Sequence, residues 1–247
     1  MMGDSDHQAE QQISLVPETA SDNAVRFLRA MIFSGELGPG DRLPPERDLG
    51  ARLGISRMTL RLALKALEST GYIVTTRGSR GGSRVSDSTV LLECWTQWMR
   101  HHSADLEDIF EFRVTVESRL ASLASVRRTD DDVQAMERAV MMERNSRDWS
   151  SLFRTDMDIH KAIARAARSP RLEQAMLQVR SELFAPVDLA QLEQRELQVH
   201  DTHAAILGAI RGQNPAEAAT QMRGHIELIR DLTYKALETA GIRPPTG

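Results

Sequence analysis

Four residues of this 247-residue chain, Asp156, His160, His203 and His225, have the types and spacing to hold a divalent metal. Asp156 and His160 are four apart, so on a helix they stand one above the other. Their stripe runs Trp149, Phe153, Asp156, His160, Ile163 and Ala167. His203 shares a stripe with Val199, Ile206 and Ile210, and His225 shares another with Ala218, Met222, Ile229 and Leu232. One carboxylate and three imidazoles therefore face the interior of one helical bundle. A single buried histidine is commonly no more than a hydrogen-bonded core residue. Four coincident inward groups need partners, and a metal ion satisfies them together. An Asp/His3 set suits zinc first, with nickel, manganese or iron open, and leaves coordination positions for water or a ligand. His200, one residue off its stripe, is the substitute ligand to consider. His7, His101 and His102 read as surface or linker histidines.

Arg113 is a second inward polar residue. It lies on the stripe of Leu106, Ile109, Phe110, Leu120 and Ala124, with Glu117 one turn later. Two readings stay open: an intrahelical Arg113–Glu117 pair, or a guanidinium that grips a carboxylate ligand beside the metal.

The elements that must position these groups are helices, expected at about 89–101, 105–127, 130–145, 149–167, 171–184, 189–211 and 215–240. Their breaks have local causes: Ser103, Thr129-Asp130, Ser146 to Asp148, Ser169-Pro170, Pro186 and Asn214-Pro215. No strand-like alternation interrupts them. The composition, 41% hydrophobic with 4% aromatic and 11 Met, favours a mainly α fold. Cys94, the one cysteine, excludes an intrachain disulfide framework and points to a reducing cytoplasm. It reads as junction packing with Trp95 and Trp98. No run of about 18 apolar residues is present to span a membrane, and the polar start of the chain does not read as a secretory signal. Residues 1–20 are expected to form a disordered arm, and Pro244 to Gly247 a disordered end.

Ahead of the bundle, residues 21–86 carry a net charge of +5, against −5 for residues 87–247. A basic module on an acidic body suits docking on phosphates through one end. Within it, Ala24, Val25, Leu28, Met31 and Ile32 give a helix from Ser21 to Ser34, ended by Gly35. Pro44-Pro45-Glu46 starts a second, with proline in its first turn, and Gly54 closes it. Ser56 caps a third, from Arg57 to Thr70, buried through Leu60, Ala63, Leu64 and Leu67 and ended by Gly71. Arg57, Met58, Thr59 and Arg61 crowd its first turn and a half, where a recognition helix reaches base edges. Tyr72 to Thr76 and Ser83 to Ser86 flank a glycine-rich, basic tip as a two-stranded wing. The alternative is that these arginines only solvate a helical surface.

Gly40-Asp-Arg-Leu-Pro-Pro-Glu-Arg-Asp-Leu, Leu53-Gly-Ile-Ser-Arg, Leu60-Arg-Leu-Ala-Leu and Leu67-Glu-Ser-Thr-Gly-Tyr resemble the N-terminal domain of GntR-type transcription regulators. The resemblance covers about residues 22–86. It implies operator contacts from Arg47, Arg57 and Arg61, with Ser56, Thr59, Gly81 and Gly82 beside them. Leu62 departs from the family, which often has Glu there. Asp156-Met-Asp-Ile-His160-Lys-Ala-Ile, His203-Ala-Ala-Ile-Leu-Gly-Ala-Ile, His225-Ile, and Ile109 to Arg113 with Glu117 resemble the FCD effector domain of the FadR branch. That resemblance implies a metal held by Asp156, His160, His203 and His225, and a small organic acid near it and near Arg113. The Arg168-Ser-Pro-Arg segment lacks an Asn often found there. Acyl-CoA regulators of the branch lack the metal set, which argues against that ligand class.

The expected architecture is a winged helix-turn-helix at 21–86 and a seven-helix, antiparallel all-α effector and dimerisation domain at 87–247. The expected function is a ligand-responsive transcription regulator, a repressor, that is not an enzyme. It would bind palindromic operator DNA as a homodimer, because one short helix reads too few bases. The rivals are a metal-dependent hydrolase or lyase acting on a small acid, for which no extra general base is seen, and a non-specific architectural DNA binder.

Overall fold

The computed structural model describes residues 19–33, 36–76, 78, 81–146, 149–182 and 192–243. The expected arm up to residue 18, His7, the wing tip at 77, 79 and 80, Pro186 and the terminal 244–247 lie outside them, as do the side chains of His101, His102, Trp149 and Phe153.

The N-terminal unit is α1 (Ala20–Phe33), α2 (Glu46–Leu53), α3 (Arg57–Ser69), β1 (Ile73–Thr76) and β2 (Gly82–Val85). Helix α1 begins one residue ahead of the expected Ser21, because Thr19 and Asp22 exchange backbone and side-chain bonds at 3.1 Å in a capping box. The two prolines precede α2 rather than occupy its first turn: Pro45 is extended (φ −52°, ψ 140°) and its carbonyl accepts from Asp48 and Leu49. Gly54 closes α2 in the left-handed conformation (φ 65°). Ser56 caps α3, its Oγ accepting from Thr59 N at 3.1 Å. Leu28, Leu49, Leu60 and Leu67 fill the core below α1, α2 and α3, each at most 1% exposed. The antiparallel wing pairs Ile73 with Val85 and Thr76 with Gly82.

The bundle follows as α4 (Ser88–His102), a short 3-10 turn (Ser103–Asp105), α5 (Leu106–Arg127), α6 (Asp130–Asn145), α7 (Trp149–Ala166), α8 (Pro170–Glu182), α9 (Leu192–Arg211) and α10 (Pro215–Thr239). Its starts follow local chemistry. Asp87 accepts from Val90 N ahead of α4, Thr129 and Asp132 form a capping box ahead of α6, and Asn214 with Pro215 opens α10. Helix α5 is central, packed by α7, α8, α9 and α10, which include every other helix that carries a candidate metal ligand. The two units meet where α8 packs against α1. No helix among the described residues is long and apolar enough to cross a membrane.

Candidate metal centre and DNA-reading face

Helices α7, α9 and α10 bring Asp156, His160, His203 and His225 together: one ligand atom from each lies within 4.8 Å of all the others. The three imidazoles are buried, with ring centroids 4.3 to 5.5 Å apart. Their outer nitrogens determine what the inner ones can do. His160 Nδ1 lies 2.6 Å from Glu117 Oε2, and His203 Nδ1 lies 2.8 and 3.0 Å from the two oxygens of Glu143. His225 Nδ1 lies 2.9 Å from Thr202 Oγ1, whose one proton goes to the Val199 carbonyl at 2.7 Å. Each outer nitrogen thus faces an acceptor and carries the proton, which leaves a lone pair on each Nε2.

Those nitrogens converge. His160 Nε2 and His225 Nε2 are 3.3 Å apart, Asp156 Oδ1 is 3.7 Å from His160 Nε2 and 3.5 Å from His203 Nε2, and His203 Nε2 is buried without a hydrogen-bond partner among the described residues. Acceptors that face one another in a buried site repel unless a proton or a cation lies between them. The donor set therefore fits a divalent metal ion, with Glu117, Glu143 and Thr202 orienting the three imidazoles.

Electrostatics favour the neutral imidazole at His160 and His225 but not at His203. Burial lowers the proton affinity of His160, aided by Arg180. Burial, then His203 and His160, holds His225 well below the ordinary histidine range. Burial also opposes charge on His203, but Glu143 outweighs it and raises that residue. Burial pushes Asp156 up, while Arg180, His160 and His203 outweigh it and keep the carboxylate ionised.

Arg113 makes the intrahelical pair with Glu117. It is buried and its Nε donates to Glu117 Oε1 at 2.7 Å, yet its terminal nitrogens make no bond among the described residues. Glu117 also receives Arg180 Nη1 at 3.2 Å. Burial pushes the Glu117 carboxyl up, but Arg113, Arg180 and His160 together hold it well below the carboxylate range. Three neighbours of the centre were missing from the sequence reading: Arg180, Glu143 and Thr202. Arg180 and Glu143 had a signal, since Leu172, Met176 and Arg180 are four apart and Met136, Val140 and Glu143 share a face. His200 is not one of the four clustered residues. Its Nδ1 lies 3.0 Å from Glu143 Oε2, outside the four-residue cluster. Cys94 packs at the junction as expected, its thiol donating to Thr70 O at 3.0 Å.

On the other unit, Arg47, Ser56, Arg57 and Arg61 are exposed and Thr59 and the wing residues Gly81 and Gly82 are partly so. Arg61 meets Glu46 at 2.9 Å and Arg47 meets Asp48 at 3.1 Å, both in water. Leu62, where a polar residue was expected from the resemblance, is 55% exposed. Gly82 adopts φ 137°, and a Cβ there would lie 3.1 Å from the guanidinium of Arg42, which donates to the Gly81 carbonyl.

A winged helix-turn-helix joined to a bundle of this kind defines a DNA-binding transcription regulator, not an enzyme. Residues 20–85 match the model for bacterial regulatory proteins of the gntR family and residues 108–228 match the FCD domain. The chain belongs to the GntR family, in the FadR-like branch that carries an FCD domain. It is 28% identical to the HTH-type transcriptional regulator YcbG of Bacillus subtilis over 90% of this chain and 93% of that one. It is 29% identical to the HTH-type transcriptional repressor NanR of Klebsiella aerogenes over 90% and 88%. The fold is shared with Escherichia coli McbR/YncC, with a TM-score of 0.53 at 16% identity over 89% of this chain and 99% of that one. It is also shared with a GntR regulator of Rhodococcus sp. RHA1, with a TM-score of 0.50 at 21% identity over 87% and 98%.

Proposed function

We propose that this chain is a metabolite-responsive repressor. Residues 21–86 read a palindromic operator as one half of a homodimer, and residues 87–247 hold a divalent metal and a small carboxylic acid. The convergence of the three imidazole Nε2 atoms and Asp156 Oδ1 carries the reading. Asp156, His160, His203 and His225 hold the metal, zinc first. When bound, it supplies a Lewis-acidic coordination position for one carboxylate oxygen. Arg113 supplies the second grip: its Nε is fixed by Glu117, which points the guanidinium and leaves its terminal nitrogens for a carboxylate.

At the DNA face, Ser56 holds the start of α3 so that Arg57, Thr59 and Arg61 project from its first turns, with Arg47 beside them and Gly81 and Gly82 at the wing. Arg57 and Arg61 are placed to pair with base edges or phosphates. Relatives that are repressors support the repressor sense, and action on the chromosome places the protein in the cytoplasm. The test is a thermal-shift screen of sugar acids, hydroxy acids and dicarboxylates with and without chelator, followed by binding to a duplex selected from a random pool. The proposal requires an acid that stabilises only the metal-loaded protein and weakens duplex binding. Stabilisation that survives chelation would contradict it.

A further inference from the structure

Beside the centre stands a side chain that the metal reading does not use. Arg180 is buried, with one terminal nitrogen on Asp156 Oδ2 and the other 3.2 Å from Glu117 Oε2, while its Nε has no partner among the described residues. Two carboxylates therefore hold the whole guanidinium in place. One of them is Asp156, whose other oxygen faces His160 and His203. A carboxylate shared between cations on its two sides holds each less tightly than one it serves alone, and the cations repel. Arg180 is thus sensitive to whether the Oδ1 side of Asp156 is filled, and to any anion that arrives beside Glu117.

The helix that carries Arg180 is also the one that touches the other unit. α8 packs against α5 and α7 on the side of the centre and against α1 of the DNA-reading unit, and α1 in turn packs on α3. The linker helix α4 is tied to the DNA-reading unit, through Cys94 to Thr70 and through Arg29, whose guanidinium lies 5.3 Å from the Tyr72 ring and 5.2 Å from the Trp98 ring. Movement of α4 relative to α5–α10 therefore carries that unit with it, and the α1–α8 seam is where those helices can push.

We propose that Arg180 is the positioning residue that carries the state of the metal centre to the DNA-binding unit, by shifting α8 against α1 when its hold on Asp156 changes. The inference rests on the metal reading above. The test uses full-length, chelator-stripped protein, with Zn2+ alone as the probe. Hydrogen exchange is followed by mass spectrometry in wild type, Arg180→Gln and Arg180→Lys, and Zn2+ stoichiometry is measured by chelator competition. In wild type, Zn2+ slows exchange in α7, α9 and α10 and changes it in α8 and α1. In Arg180→Gln, Zn2+ still binds one per chain and protects α7, α9 and α10, while the α1 response falls about fivefold or more. Arg180→Lys, which keeps the charge and the folded bundle, retains part of the α1 response. An α1 response in Arg180→Gln equal to wild type, or none in wild type despite bound Zn2+, overturns the role of Arg180. No Zn2+ binding by wild type, with no protection anywhere, overturns the metal reading itself and this inference with it.

Discussion

On the DNA-reading face the arginines stand in water: the side chains of Arg47 and Arg61 are 81% and 65% exposed, and their acid neighbours are partners they can leave. In the bundle, Arg113 and Arg180 are 5% and 7% exposed and share one carboxylate, Glu117. The first arrangement keeps charge available for an external polyanion at little cost in stability. The second makes folding depend on every charge keeping its partner. A mutation should therefore separate binding from stability in one unit and confound them in the other.

The largest expected effect breaks the buried network. Glu117→Ala leaves Arg113 and His160 without their carboxylate acceptor and takes one of two from Arg180, and should cost about 3–5 kcal/mol of stability in urea unfolding followed by circular dichroism. By the same measurement Arg61→Ala, which removes a surface pair, should cost at most about 1 kcal/mol. Equal losses would erase the contrast between the two regions.

Next in size is the metal. Zn2+ at one hundred times its dissociation constant should stabilise the stripped protein by about 2.7 kcal/mol. That gain should vanish in His225→Ala, which removes a ligand but none of the carboxylate network around Glu117. A Zn2+ effect of wild-type size in this variant would mean that the ion binds elsewhere.

At the DNA face, Arg57→Ala should weaken binding to a selected duplex by about 1–3 kcal/mol, read by fluorescence anisotropy. Its unfolding midpoint should stay at the wild-type value. Undiminished affinity and base preference would remove α3 as the reading helix.

The smallest effect tests whether a surface carboxylate of the bundle behaves like those of the DNA-reading unit. Thr129→Ala opens the α6 capping box and should cost about 1 kcal/mol. Burial pushes the Asp132 carboxyl up, but bonds from Thr129 and Arg168 outweigh it and hold the carboxyl below its ordinary range. Its folded pKa lies below its unfolded one, so its stabilisation is full above the unfolded value and is lost as pH falls through the folded one. The stability gap between wild type and Thr129→Ala should accordingly narrow in acid. A gap independent of pH would show that the cap does not act through Asp132.

Much of this was legible in the sequence because it is written locally. Ser56, Gly54, Thr129 and Asn214 mark helix ends through bonds within three or four residues. The inward stripes of His160, His203 and His225 follow from helical period alone. What stayed hidden was which stripe meets which. Glu143 and Thr202 matter only because α6, α9 and α10 bring them against His203 and His225. Arg180 lies on an apolar stripe like that of Arg113, but its partners Asp156 and Glu117 are 24 and 63 residues away. His200 was the opposite case: a ligand type near the right face, turned by packing toward Glu143 instead of the centre. Helix α2 shows the limit of cap rules, since Pro45 closes the turn ahead of the helix rather than joining it.

The central claim is that one ion lies where His160, His203 and His225 Nε2 and Asp156 Oδ1 converge. An anomalous difference map collected on either side of the zinc absorption edge, from crystals grown with Zn2+, tests it most directly. The account predicts one strong peak per chain among those four atoms. No peak there, with the three imidazoles bonded to each other or to water, would contradict it.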